Sequence, residues 1–272
     1  MSLLHGAKSL KSIDLTPLSN VTIIRGAFLR ECTSLKEIDL RPLSNVEAIA
    51  EGFLAECSGL LELDVSPMSK LSTVGMWFLS GCTSLKTVNL EALPATADIG
   101  GGALNGCSSL TQVNIATLTG RKETPYFFMC SCFAMKSIDL SPLSNMRRLN
   151  VNFMANCISL ESIDLSPLTK VVSIQEGFLL GCTGLKSIDL TPLSHCLRRI
   201  HPQFLSGCTG LTSIDLTPIS NATIHREGFI GDRSDGLVVT GMERVTKWVA
   251  PFNYDDDDFD DEEDNDSLAS DE

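Results

Sequence analysis

Leu35-Lys36-Glu37-Ile38-Asp39-Leu40 decides the fold, because this hexad returns along most of the chain. Copies begin at Leu10, Leu35, Leu60, Leu85, Leu110, Met135, Leu160 and Leu185, each 25 residues after the last, and a ninth begins at Leu211 after a step of 26. In each copy the apolar side chains are expected to point into a core and the intervening ones into solvent. A β-branched Ile or Val in the middle suits a short strand. Proline comes next at Pro17, Pro42, Pro67, Pro142, Pro167, Pro192 and Pro218. Having no amide proton to donate, it ends the strand there. A second apolar pair, such as Val21 and Ile24 or Val46 and Ile49, marks another short extended segment. Phe28-Leu29, Cys32 and Leu35 then place apolar groups at i, i+1, i+4 and i+7. That spacing predicts a helical stripe of about two turns.

Other residues keep the same beat. Cysteines stand at Cys32, Cys57, Cys82, Cys107, Cys132, Cys157, Cys182 and Cys208. Phenylalanine lies four residues before most of them, at Phe28, Phe53, Phe78, Phe128, Phe153, Phe178 and Phe204. Ala103 is the exception, beside Gly100-Gly101-Gly102, where a thin core is expected. One such unit cannot bury its apolar side alone, whereas stacked identical units share one continuous core. The prediction is therefore a solenoid. Its strands should lie ~4.8 Å apart in a single parallel sheet, so nine coils span on the order of 40 Å.

The joint phasing of Phe, Cys and Leu after Leu-x-x-Ile-Asp-Leu resembles the BspA-like class of leucine-rich repeats, over about Leu3 to Phe229. The units are about two residues longer than usual for that class, through connections such as Asp39-Leu40-Arg41-Pro42-Leu43-Ser44-Asn45. The resemblance implies a curved solenoid used for protein recognition or adhesion, in a class whose members are often surface-exposed. The expected fold is α/β: a leucine-rich-repeat solenoid of about nine 25-residue coils, with a parallel strand on one face and short helical turns on another. Residues 1–233 form the solenoid, 234–254 a C-terminal cap and 255–272 a disordered acidic tail.

The net charge of −13 divides unevenly between these parts. Residues 255–272 hold twelve acidic side chains and no Lys or Arg, whereas the rest is nearly balanced. A polyanion of this kind cannot bury enough apolar surface to order itself. Ahead of it, Leu237-Val238-Val239 reads as a last strand. Met242, Val245, Trp248 and Val249, between Gly241 and Pro251, predict a capping helix. At the other end Leu3 and Ala7 align with the Phe and Cys positions, so the chain starts inside a repeat. No apolar run approaches the ~18–20 residues that cross a bilayer. Met1 to Leu15 also lacks the apolar core of a signal peptide. A cytoplasmic protein is expected. The alternative is a cell-surface adhesin or antigen whose leader lies upstream, for which the sequons at Asn20 and Asn221 would matter.

Ten cysteines in a chain without a secretory signal read as reduced thiols. Zinc ligands come in close pairs, but these fall one per coil, as a stacked core ladder. Cys130 and Cys196 lie outside the ladder and are the remaining candidates for a reactive thiol. His5, His195, His201 and His225 accompany no nucleophile elbow, phosphate loop or metal motif. Neither catalysis, nor a cofactor, nor a metal is expected.

The surface columns are more informative. One reads Asp14, Asp39, Asp64, Asn89, Asn114, Asp139, Asp164, Asp189 and Asp215; another holds Lys11, Lys36, Lys86, Lys136 and Lys186. An Asp before Leu-Ser/Thr-Pro suits a hydrogen bond to turn amides. The functional reading is a mixed-charge recognition face. On it Lys36, Asp39, Asp64, Lys136, Asp139, Asp164, Lys186, Asp189 and Asp215 are the candidate contacts for a macromolecular partner, a protein of unknown identity. Calcium is a lesser option, because no ligand loop is recognisable. Arg147-Arg148 and Arg198-Arg199 share one phase and form a candidate docking stripe for an acidic partner, or for the chain's own tail. The tail itself serves solubility or attracts basic proteins. Nucleic acid is not expected to bind, because the body is neutral and the tail repels phosphate. The leading expectation is a non-catalytic protein-binding scaffold.

Overall fold

The computed structural model describes residues 3–91, 93–95, 97–231 and 236–249. The coils stack in sequence order and every strand pairing is parallel. Each coil presents two extended lines. The hexads form the first line. Its paired strands are Glu62–Leu63, Thr87–Asn89 and Gln112–Asn114, and later Ser213–Asp215 with Val238–Thr240. The second line is more continuous. It pairs Ile23–Ile24, Ala48–Ile49, Thr73–Val74 and Asp98–Ile99 in one sheet. A second sheet holds Arg148–Leu149, Ser173–Ile174, Arg199–Ile200, Thr223–His225 and Trp248–Val249. The single sheet expected on one side is thus replaced by two interrupted lines.

A corner follows each hexad. The carboxylate or amide oxygen of the hexad's fifth residue accepts the N–H two residues on, as in Asp39 from Arg41 at 2.9 Å. That bond draws the backbone into a 3₁₀ turn such as Arg41–Leu43, with proline pre-set near its start. Strand geometry therefore ends at that fifth residue, as in Thr87–Asn89 and Gln112–Asn114. One inter-coil bond per hexad often survives, such as Leu61 N–H to the Lys36 carbonyl at 3.1 Å.

The helical stripe expected over Phe28 to Leu35 does not form, and no α-helix occurs among the described residues. Ala27, Leu29 and Glu31 all have positive φ, between 54° and 62°. Their amides bond across coils rather than along a helix. Ala27 N–H reaches the Glu51 carbonyl, Glu31 N–H reaches Ala55, and Leu29 N–H turns back to Leu3. Each left-handed residue sends a donor to a neighbouring coil, so the backbone itself joins the stack. The apolar periodicity is compatible with a helix, but inter-coil bonding wins, because it buries Phe28, Cys32 and Leu35 on the same side. The short helical turns are three-residue 3₁₀ segments, most of them at the proline corners.

The core is a set of ladders. Phe28 stacks on Phe53 at 5.4 Å between ring centroids and Phe53 on Phe78 at 6.0 Å. After a break at Ala103 the stack resumes from Phe128 through Phe153, Phe178 and Phe204 to Phe229. Trp248 closes it edge-on, 5.7 Å from Phe229. The capping helix expected there is replaced by the 3₁₀ turn Met242–Arg244 and the strand Trp248–Val249, which adds to the preceding sheet. Pairing with an open strand edge satisfies backbone groups that an added helix would leave exposed. The tail at 255–272 lies outside the described residues. Among the described residues no helix is long and apolar enough to cross a membrane.

Candidate protein-binding face

The first strand line forms a shallow concavity of about 920 Å³ across the early coils. Its wall alternates buried or partly buried aliphatics with polar side chains. Ile13, Ile38, Leu63, Val88 and Val113 form one row, between Glu37, Glu62, Thr87 and Gln112 on one side and Asp39, Asp64, Asn89 and Asn114 on the other. A second hollow of about 420 Å³ continues it, between Thr111–Val113 and Lys136–Asp139. The surface is acidic at Glu37, Asp39, Glu62 and Asp64 and becomes uncharged at Thr87, Asn89, Gln112 and Asn114.

The Asp column has a structural task that all nine positions share. Asp14, Asp39, Asp64, Asn89, Asn114, Asp139, Asp164, Asp189 and Asp215 each accept the amide two residues on at 2.8–2.9 Å. Asn89 and Asn114 do this without a charge, so the oxygen matters to the turn and the charge does not. Side-chain and then backbone hydrogen bonds from Thr16 hold the Asp14 carboxyl below the usual range, and Ser66 does the same for Asp64. Ser141, Thr191 and Thr217 act likewise on Asp139, Asp189 and Asp215. Asp39 goes lowest, to about 2, because the Arg41 guanidinium bonds to it at 2.7 Å. One Oδ of each of these side chains is thus taken up by its turn, and calcium binding gains no support.

Lys36, Lys86 and Lys136 are exposed beside this column. Lys186 bonds to Glu161 of the preceding coil at 2.8 Å. Arg147, Arg148, Arg198 and Arg199 lie on the second line, on a separate side of the coil. Arg148 and Arg199 share one register column through Ser173, and Arg148 pairs with Glu123 at 3.1 Å. The structure therefore gathers the hexad candidates on one face and the arginines on another.

The cysteine ladder is a hydrogen-bonded column as well as a packed one. All eight thiols donate to a carbonyl of the coil before, from Cys32 to Leu4 through Cys208 to Leu179, at 3.1–3.4 Å. The acceptors are carbonyls of the left-handed residues, among them Leu29, Leu54, Leu79, Leu104, Met129, Met154 and Leu179. Burial pushes the Cys57 and Cys107 thiols up to about 12, far from a nucleophilic thiolate. Cys130, half-buried, is also raised by burial. Among the described residues no group of His, Cys, Asp and Glu is placed to hold a metal ion.

One surface feature is not legible in the sequence pattern. Met76 and Tyr126 are 48% and 49% exposed, and the Trp77 and Phe127 rings meet at 6.3 Å across the coil between them. Gly102 makes this possible, since a Cβ there would overlap Trp77 Cε3 and Cζ3. The one signal is Gly100-Gly101-Gly102, which suggests a thin core but in fact leaves room for aromatic side chains on the outer side of the turn.

Comparison with known proteins adds the family. The model of the BspA type leucine-rich-repeat region matches in six copies, over residues 3–131 and 122–233. Among solved structures, a leucine-rich-repeat protein from Bacteroides ovatus is 18% identical, covering 90% of this chain and 76% of that one, with a TM-score of 0.44. The functional domain of InlJ from Listeria monocytogenes, which includes a cysteine ladder, is 17% identical, covering 85% of this chain and 56% of that one, with a TM-score of 0.29. The T. pallidum leucine-rich-repeat protein is 18% identical, covering 78% of this chain and 70% of that one, with a TM-score of 0.31. No curated protein matches the chain. Repeated phase, stacked coils and a family match over more than half its length place the chain in the BspA type leucine-rich-repeat family.

Proposed function

We propose that the chain is a non-catalytic scaffold that binds another protein through its concave first-line face. The supporting observation is the concavity itself, a row of aliphatics, of which Ile13, Ile38 and Val113 are partly exposed, flanked by carboxylates and amides over several coils. Such a face supplies many modest contacts rather than one deep pocket, as repeat proteins do. The acidic early coils favour a partner with basic and aliphatic side chains together.

The test should leave the turns intact. Reversing Asp139, Asp164 and Asp189 would remove turn bonds along with charge, whereas Glu37 and Glu62 make no side-chain hydrogen bond or ion pair among the described residues. E37K/E62K is expected to lose most of the partner recovered by affinity capture from native extract, with an unchanged melting temperature. Full capture by that variant rejects this end of the face. The triple variant D139N/D164N/D189N, which keeps each turn acceptor, tests the later coils in the same way.

An intracellular location belongs to this proposal. It draws support from the cysteine ladder, whose eight thiols make hydrogen bonds that a disulfide would abolish. Thiol counting on denatured protein isolated from its source is expected to find all ten reduced. Stoichiometric disulfide would favour the cell-surface reading instead.

A further inference from the structure

We propose that the basic end of the second strand line is the docking surface for the chain's own acidic residues 255–264. This is separate from the concave-face reading and does not depend on it.

The second line changes sign along its length. In the early coils two adjacent columns hold Thr22, Glu47, Ser72 and the buried Ala97, then Ile23, Ala48, Thr73 and Asp98, with no base among them, although Arg121 of the next coil bonds to Asp98 at 3.1 Å. From the fifth coil the same columns turn basic. Backbone bonds align Lys122, Arg147, Val172 and Arg198 in one. Strand register aligns Arg148, Ser173, Arg199 and Thr223 in the other. Lys247 extends the basic surface, its carbonyl accepting from Ile224. Glu123 is the only carboxylate of these columns from Lys122 to Lys247 among the described residues, and Arg148 holds it at 3.1 Å.

The exit of the chain is what selects the occupant. Trp248–Val249 is the outermost strand of this same sheet. Two strand spacings of ~4.8 Å separate it from Arg199, four from Arg148, and about one more from Lys122, roughly 10, 19 and 24 Å. Residues 250–254 can span up to about 17 Å, and ten further residues about 34 Å more. Nine of residues 255–264 are Asp or Glu. Reach and charge therefore coincide on the basic columns. Tethering presents the tail at an effective concentration in the mM range, ahead of any acidic partner in solution. The surface is then covered by default, and only a more strongly anionic partner displaces the tail.

The probe is zero-length carbodiimide cross-linking of the full chain, which joins carboxylates to lysine amines in contact, read by mass spectrometry. Tail peptides are expected on Lys122 and Lys247, in clear excess over Lys36, Lys86 and Lys136 of the concave face. R147E/R198E should lower the Lys122 product about fivefold, as expected from losing two exposed ion pairs. If that variant melts early, raising salt to about 1 M on the unaltered chain gives an equivalent readout, because the Debye length falls to about 3 Å. Tail links spread evenly over all lysines, or insensitive to both changes, overturn the proposal. So do links formed only between differently isotope-labelled copies, which would make the occupant another molecule's tail. Links concentrated on Lys36, Lys86 and Lys136 overturn it too, while leaving the concave face open to its own test.

Discussion

At the scale of single residues, the recurring device is a side-chain oxygen or sulfur satisfying a backbone group that the coil would otherwise leave open. Asp39 shows it for the turns. Its carboxyl is held near 2 by Arg41, so its stabilising effect is complete above the ordinary Asp value of about 3.9 and is lost as pH falls through about 2. Asp14, Asp64, Asp139, Asp189 and Asp215 shift in the same direction. Melting temperature is therefore expected to decline as pH drops below about 4, and D39N should show a shallower decline than the unaltered chain. An unchanged slope would mean that the Asp39 charge and its bond to Arg41 contribute nothing to stability. The sequence leaves this role open as one of two readings of the Asp column. Local spacing suggests a turn bond, but only the geometry shows that Asn89 and Asn114 make it equally well.

At the scale of elements, the phenylalanine ladder and the left-handed turn determine what each coil tolerates. Phe153 is stacked on both sides, at 6.5 and 6.3 Å, and fully buried. F153A should cost about 3–5 kcal/mol in denaturant unfolding, through lost transfer energy and the cavity left behind. Gly102 is the opposite case, since it has φ +75° and its missing Cβ makes room for Trp77. G102A should destabilise by about 2 kcal/mol through overpacking and left-handed strain, and W77A in the same chain should recover part of the loss. No recovery would place the cost in the backbone alone. The helix expected at Phe28 to Leu35 fails at this scale. Periodicity reports which residues face inward, but it cannot say whether the amides bond within the segment or to the next coil.

At the scale of the whole molecule, the stack has a seam. The phenylalanine ladder breaks at Ala103, and the second-line sheet stops after Asp98–Ile99 and resumes at Arg148–Leu149, with a lone bridge from Glu123. In a solenoid, stability is approximately a sum over units and their interfaces, so weak interfaces open first. Native-state hydrogen exchange is expected to show less protection at residues 97–125 than at 46–79 or 149–205. Uniform protection would show that the first-line strands from Glu62–Leu63 to Gln112–Asn114 carry the stack across the seam.

The 25-residue phase by itself determined that identical lengths of chain complete one another's core, and hence the solenoid, its inward Phe, Cys and Leu ladders and the separation of polar columns. These come from local covalent spacing and burial, which every copy repeats. Only the tertiary structure decided where the backbone bonds go: across coils at the left-handed turns, and more continuously along the second line than along the first. It also placed the final strand in the same sheet as Arg148 and Arg199 and brought Trp77 to Phe127 over Gly102. The pairings between coils join residues about 25 or more positions apart, and their energies depend on distances that no local pattern encodes.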